Sequence, residues 1–194
     1  MKGCRSLTDE EIEKVKVAFA GPFELRDRAI FILGIRAGLR ISEMLSISVG
    51  QIFQEGKITH HLYIPRRNMK GKVEGRRIPL HEEARQAIGL WLIELNKRQA
   101  ITLEAPLFTS RKGQERAISR VQAWRILETA FAKAGLVGSL ATHTLRKTYA
   151  RRIHKKLNFN LVDTQIAMAH RSIQSTIRYL SGDNEKVDAA ILAD

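Results

Sequence analysis

Two blocks of helical periodicity are separated by one stretch of different texture, and that interruption limits the fold more than any other feature. Lys57 to Ile64 is rich in β-branched and aromatic residues, and Arg76-Arg77-Ile78-Pro79-Leu80 has the same character. A polar, glycine-punctuated run, Asn68 to Gly75, lies between them. This pattern predicts a β-hairpin over about 57–80, or a small sheet if Val49 to Phe53 adds a strand.

On the N-terminal side, Thr8-Asp9-Glu10-Glu11 is a capping box, and Ile12, Val15 and Phe19 follow at helical spacing. Gly21-Pro22 stops that helix. A second apolar segment, Phe23 to Ala37, ends at Gly38, and a short helix follows near Ile41. Beyond the hairpin, Ala84, Ile88, Trp91, Leu92 and Leu95 share one helical face. Trp124, Leu127 and Phe131 share another, on a helix capped by Ser119 and closed by Gly135. Helices near Thr142 to Leu157, Asn160 to Ala169, Ser172 to Leu180 and Asn184 to Ala193 complete the chain. No internal repeat or linker is visible. The sequence therefore predicts one mainly α domain over residues 1–194 with a small antiparallel β-sheet.

A hydrophobic content of 44% over 194 residues suits such a domain. The longest apolar run, Ala29 to Ile35, is too short to cross a bilayer, and Leu7-Thr8-Asp9-Glu10-Glu11 stands where a secretory signal would need an apolar core. The single cysteine, Cys4, excludes an internal disulfide framework. These features lead us to expect a cytoplasmic protein with no membrane partner. The net charge of +13 exceeds what solubility needs and is grouped. Arg66, Arg67, Lys70, Lys72, Arg76 and Arg77 form one cluster; Arg146, Lys147, Arg151, Arg152, Lys155 and Lys156 form another. Two such clusters point to nucleic acid, and they name a partner without naming an activity.

Five short segments carry the chemistry: Ala37-Gly38-Leu39-Arg40-Ile41-Ser42-Glu43, Lys70-Gly71-Lys72, His143-Thr144-Leu145-Arg146, Met168-Ala169-His170 and Ile177-Arg178-Tyr179. Guanidinium groups present fixed donor forks to phosphate oxygens, so Arg40 and Arg146 suit a clamp on a phosphodiester. Arg40 also sits near a helix N-terminus, where backbone N–H groups favour an anion. His143 and Arg146 are three apart on a helix and share a face.

The order and spacing of these segments resemble the phage integrase, or tyrosine recombinase, family. In that family Gly-Leu-Arg-x-Ser-Glu is followed by a hairpin Lys, His-x-x-Arg and a Leu-Gly-His-type motif, with a Tyr nine residues after that His. Here Tyr179 stands nine positions after His170. The resemblance runs from about Leu7 to the C-terminus and implies the DNA breaking-rejoining catalytic-domain fold. It implies Tyr179 as nucleophile, Arg40 and Arg146 as phosphate clamp, and His143 and His170 as phosphate ligands that assist proton transfer. It further implies Glu43 as a support for Arg40 and a hairpin Lys as proton donor to the leaving 5′ oxygen, with no metal or other cofactor. We assign the last role to Lys70, nine residues before Pro79; Lys72, seven before it, is the competing choice. Arg66, Arg67, Lys72, Arg76, Lys147 and Arg151 are the expected DNA contacts. The implied partner is double-stranded DNA. The chain would be monomeric without DNA and tetrameric on it through the helix near 184–193; the alternative is that this helix packs in cis.

Helical phase supports the choice of tyrosine. At about 100° per residue, Ile173, Ile177 and Leu180 form an apolar stripe, with Tyr179 roughly 120° away. Tyr149 falls on the Leu145–Tyr149–Ile153 stripe and reads as core, and Tyr63 sits on a strand. His60, His61, His81 and His154 read as surface or packing residues. Two departures from the family stand inside the motifs. Ala169 replaces the usual Gly, a mild change unless the backbone there needs positive φ, and Lys147 occupies a common His position. A third lies at the front, where the family's N-terminal DNA-binding domain is absent from this sequence. The competing expectations are a non-catalytic DNA-binding relic and a type IB topoisomerase-like relaxation activity.

Overall fold

A computed structural model describes residues 3–68, 75–98, 100–111 and 113–180. Among the described residues there are nine α-helices and three two-stranded antiparallel hairpins. The first helix, α1 (Asp9–Ala18), starts at the expected capping box. The Thr8 side chain accepts from the Glu11 N–H, and the Glu11 carboxylate accepts from the Thr8 N–H. The second, α2 (Glu24–Ala37), is apolar all round over its central two turns, Ala29 to Ile35, which are buried throughout. A helical segment with no polar face belongs at the centre of a domain, and α2 packs against α1 and against the helices Ile41–Leu45, Glu82–Arg98, Arg120–Lys133 and Thr142–Lys156.

Short α3 (Ile41–Leu45) follows, as expected. The alternative of a strand beginning at Val49 is not what forms: Val49–Ile52 is a single helical turn, α4. Val49 and Ile52 are both buried, and a spacing of three puts them on one side only in a helix. The Gln51 side-chain carbonyl, accepting from the Ser48 N–H at 2.9 Å, closes the turn.

The β region is two hairpins rather than one. The first is β1 (Phe53–Gln54) with β2 (Lys57–Ile58), and the second is β3 (His61–Ile64) with β4 (Arg76–Pro79). Leu62 pairs with Ile78 and Ile64 with Arg76, so the core-facing side reads Leu62, Ile64, Ile78 and Arg76. Next come α5 (Glu82–Arg98) and a third hairpin, β5 (Thr109–Ser110) with β6 (Gly113–Ala117), which the sequence reading did not foresee.

The remaining helices are α6 (Arg120–Lys133), α7 (Thr142–Lys156), α8 (Leu161–Met168) and α9 (Ile173–Leu180). Ser119 caps α6 through the Gln122 N–H. The α2 helix packs against both α5 and α7, and α8 and α9 pack on α7 and on each other. A methyl group at Gly34 would strike the Leu145 side chain, so the absent Cβ lets α2 and α7 approach closely. That approach holds the helix carrying His143 and Arg146 against the turn carrying Arg40. No helix among the described residues is long and apolar enough to cross a membrane.

Candidate active site

Arg40, expected to be half of a phosphate clamp, is placed by the end of α2. Gly38 adopts the left-handed conformation (φ 61°, ψ 24°) and its N–H donates to the Gly34 carbonyl. The Tyr149 ring occupies the space a Cβ at Gly38 would need. The chain then turns into Arg40, the cap of α3. Glu43, buried at the base of the turn, holds this arginine twice. One carboxylate oxygen accepts from the Arg40 N–H at 2.8 Å and the other from its Nη1 at 2.7 Å. The backbone donor expected to meet an anion at Arg40 is thus committed to Glu43. The guanidinium stays partly accessible, with a quarter of the side chain exposed.

Arg146 is the opposite case. It is 1% exposed, and its two terminal nitrogens donate to the carbonyls of Gly38 and Met168, the latter at 2.7 Å. Its Nε is buried with no hydrogen-bond partner among the described residues. Burial, then the nearby Arg40, lower its pKa to about 10, so it remains cationic at neutral pH. A desolvated cation with a spare donor is matched by an anionic ligand.

Arg76 does not join Arg66 and Arg67 on the surface. The strand register turns it to the side of Ile78, where its Nη2 donates to the Ala167 carbonyl. Burial lowers its pKa. Two guanidiniums therefore cap the last carbonyls of α8, at Ala167 and Met168.

Helix α8 ends in a Schellman motif. The His170 N–H donates to the Gln165 carbonyl at 3.1 Å and the Ala169 N–H to that of Ile166 at 2.9 Å. Ala169 is left-handed (φ 48°, ψ 49°). The backbone thus needs positive φ where the family has Gly, and the alanine is strained, not neutral. The turn carries His170, 8% exposed, with Nδ1 3.0 Å from the Thr176 hydroxyl oxygen. Burial, then Arg146, Arg40 and Arg76, lower the imidazole pKa to about 4, so it is neutral at pH 7.

Tyr179 sits within this ring of groups. Its hydroxyl lies 3.1 Å from His143 Nδ1, and its ring centroid lies 5.0 Å from that of His170 and 5.7 Å from the Arg146 guanidinium. The apolar stripe expected to face the core is not the inward side of α9. Ile177 is 45% exposed, whereas Thr176 is fully buried. The helix is short, and its inward face is chosen by hydrogen-bonding partners on the neighbouring elements. Tyr149 is half-buried beneath Gly38, close to the site without facing it as Tyr179 does.

A cavity of about 400 Å³ is lined by Arg40, His143 and Arg146, together with Arg67, Asn68, Arg120 and Thr142. Arg120 escaped the sequence reading. Its signal was its place directly after the cap Ser119, which aims the first turn of α6 at the cavity. Arg66 and Arg67 are exposed on a 3-10 turn (Arg66–Asn68). Arg151 donates to the Ser6 hydroxyl at 2.7 Å, and half-buried Lys147 lies beside Gly3. Lys70 and Lys72, like the helix expected near 184–193, lie outside the described residues. His81 accepts the Glu83 N–H at the start of α5, and His154 packs with Thr164 and Phe159.

Guanidiniums, imidazoles and a phenol are thus gathered on one helical scaffold beside a cavity lined by Arg40, His143 and Arg146. Residues 5–186 match the model of the phage integrase family. The chain belongs to that family, the tyrosine recombinases, enzymes that cleave and rejoin DNA. It is 31% identical over 181 residues to a probable integrase/recombinase YoeC of Bacillus subtilis (strain 168), covering 93% of this chain and 91% of that one. Among solved structures it is similar in fold to the XerA recombinase (TM-score 0.77, 17% identity, covering 98% of this chain and 65% of that one). It is also similar to XerH bound to its palindromic difH substrate after cleavage (TM-score 0.73, 22% identity, 96% and 52%). The chain thus spans nearly all of YoeC and about half of XerH.

Proposed function

We propose that the chain is a site-specific recombinase of double-stranded DNA in which Tyr179 is the nucleophile. The observation that carries this reading is the seating of the Tyr179 hydroxyl at His143 Nδ1, with its ring against His170 and near Arg146. In the proposed step the phenol oxygen attacks phosphorus and the phenolic proton passes to His143. The bond to the 5′ oxygen breaks as the 3′-phosphotyrosyl bond forms. Arg40 and Arg146 hold the non-bridging oxygens, where negative charge builds. The leaving oxygen takes a proton from the hairpin lysine, Lys70 in our assignment with Lys72 as the alternative. The phosphotyrosyl bond conserves the energy of the one cleaved, so a 5′ hydroxyl from another strand can reverse the step. Arg66, Arg67, Arg120 and Lys147 would contact flanking phosphates. Arg76 and Arg151 support the scaffold instead, since their guanidiniums are engaged with Ala167 and Ser6. Assembly would be monomeric off DNA and tetrameric on it through residues near 184–193, in the cytoplasm.

The test is a pool of nicked suicide duplexes with randomised cores, resolved by denaturing electrophoresis after incubation with the protein. The expected result is a covalent adduct on a subset of cores that Tyr179→Phe abolishes and a chelator does not. Binding of the pool with no adduct would refute it in favour of a binding protein. Relaxation of supercoiled plasmid without core preference would refute it in favour of a topoisomerase.

A further inference from the structure

Thr176 has no place in the mechanism above, yet it is fully buried and its hydroxyl meets a catalytic imidazole. His170 has two ring nitrogens in different situations. Nδ1 lies 3.0 Å from the Thr176 hydroxyl, and Nε2 is buried with no partner among the described residues. Arg146, Arg40 and Arg76 are the charged groups around the ring. A neutral imidazole carries one proton, and whichever nitrogen holds it becomes the donor. The non-bridging oxygens of a phosphodiester are acceptors only. For His170 to bind one, Nε2 must hold the proton and Nδ1 must accept a hydrogen bond. A backbone carbonyl beside Nδ1 would enforce the opposite tautomer; a hydroxyl can donate.

We propose that Thr176 is a positioning residue whose hydroxyl donates to Nδ1 of His170, fixing the tautomer that presents an Nε2–H donor to the scissile phosphate. The second consequence follows from sequence position. Thr176 lies on α9 one turn before Tyr179, so His170 becomes a phosphate donor when the helix bearing the nucleophile is seated. Phosphate recognition and nucleophile delivery are thereby joined through one hydroxyl. This deepens the recombinase reading and rests on it.

The experiment has two independent readouts. Long-range ¹H–¹⁵N correlation spectra of the histidine-labelled full chain at pH 7, with the His170 signal identified by its loss in His170→Gln, report the tautomer without DNA. Wild type and Thr176→Ser should show a protonated Nε2 and a bare Nδ1, and Thr176→Val should show a shift toward the Nδ1–H form. On a duplex already shown to give the wild-type adduct, single-turnover cleavage at saturating DNA should fall on the order of 10- to 100-fold in Thr176→Val, up to the cost of losing one transition-state donor. DNA affinity should stay unchanged, and Thr176→Ser should restore the rate. A protonated Nδ1 in wild type, full cleavage by Thr176→Val, or failure of Thr176→Ser to restore the rate would each overturn the proposal. Absence of any wild-type adduct would instead count against the recombinase reading, and the spectra would still decide the tautomer.

Discussion

Ala169 offers a measurement in which one backbone angle decides the outcome. It closes α8 at φ 48° and ψ 49°, where a Cβ costs about 1–2 kcal/mol relative to the right-handed form. Its methyl group is exposed, so removing it forfeits no packing. Ala169→Gly removes the steric cost but gives the unfolded chain more freedom, which offsets about 0.4–1 kcal/mol. The net expectation is a gain of ~0.5–1 kcal/mol in stability. For a domain of this size that raises Tm by about 1–4 °C. Urea unfolding followed by tryptophan fluorescence suits the measurement, because Trp91 is fully buried and its indole N–H donates to the Leu107 carbonyl. An unchanged slope with a higher midpoint is the expected result. Lower stability in the glycine variant would refute the assignment of strain at this turn.

The mirror substitution should do the reverse. Gly38→Ala adds the same left-handed cost and drives a methyl group into the Tyr149 ring, for a loss of roughly 2–5 kcal/mol; a loss under 1 kcal/mol in calorimetry would contradict the packing described. Acid should destabilise the fold through His170. Its folded-state pKa of about 4 lies below the ordinary 6.5, so the unfolded chain binds the proton first. Stability is then full above pH 6.5 and declines as pH falls toward 4, by ~2 kcal/mol at pH 5. His170→Gln should lack that decrement when both proteins are unfolded in urea at pH 7 and pH 5, and parallel pH curves would sink the idea. Arg146→Lys should lower cleavage at least ~100-fold, since one ammonium cannot replace a planar fork that meets two carbonyls and a phosphate together; near-normal single-turnover rates would show that charge alone suffices.

Much of the site was legible because its motifs are local. Gly38 followed by Arg40 reads as a left-handed cap that launches a new helix, and His143 and Arg146 share a face by spacing alone. What escaped depends on partners distant in sequence. Arg76 looked like part of a basic surface run, although its alternation with Ile78 already assigned it to the core-facing side of β4. The inward face of α9 was misjudged because three apolar residues outweighed Thr176, whose partner His170 lies on a preceding turn. A strand at Val49 to Phe53 is only an alternative in the sequence, and the spacing of Val49 and Ile52, both buried, decides for a helical turn. The third hairpin, β5 with β6, has no alternating apolar pattern in Gly113–Ala117 to announce it.

The arrangement of the arginines explains how the candidate site is held together. Arg146 ties the Gly38 carbonyl at the end of α2 to the Met168 carbonyl at the end of α8. Arg76 ties β4 to the neighbouring Ala167 carbonyl. These contacts fix, relative to one another, the turn that presents Arg40 and the turn that presents His170, before any substrate contributes a contact. The cost is a cluster of like charges in which Glu43 is the buried counter-ion, bound to Arg40. Such a cluster is stable only if each guanidinium has acceptors, and the carbonyls at two helix ends supply them with the favourable pole of the helix dipole. In the proposed mechanism a phosphodiester in the cavity adds negative charge beside Arg40 and Arg146. Tyr179 reaches two residues of that cavity's lining, with its hydroxyl 3.1 Å from His143 Nδ1 and its ring 5.7 Å from the Arg146 guanidinium. In the proposed mechanism the geometry of cleavage is therefore a property of how α2, α7 and α8 pack, and substitutions at those helix ends should impair cleavage as Tyr179→Phe does.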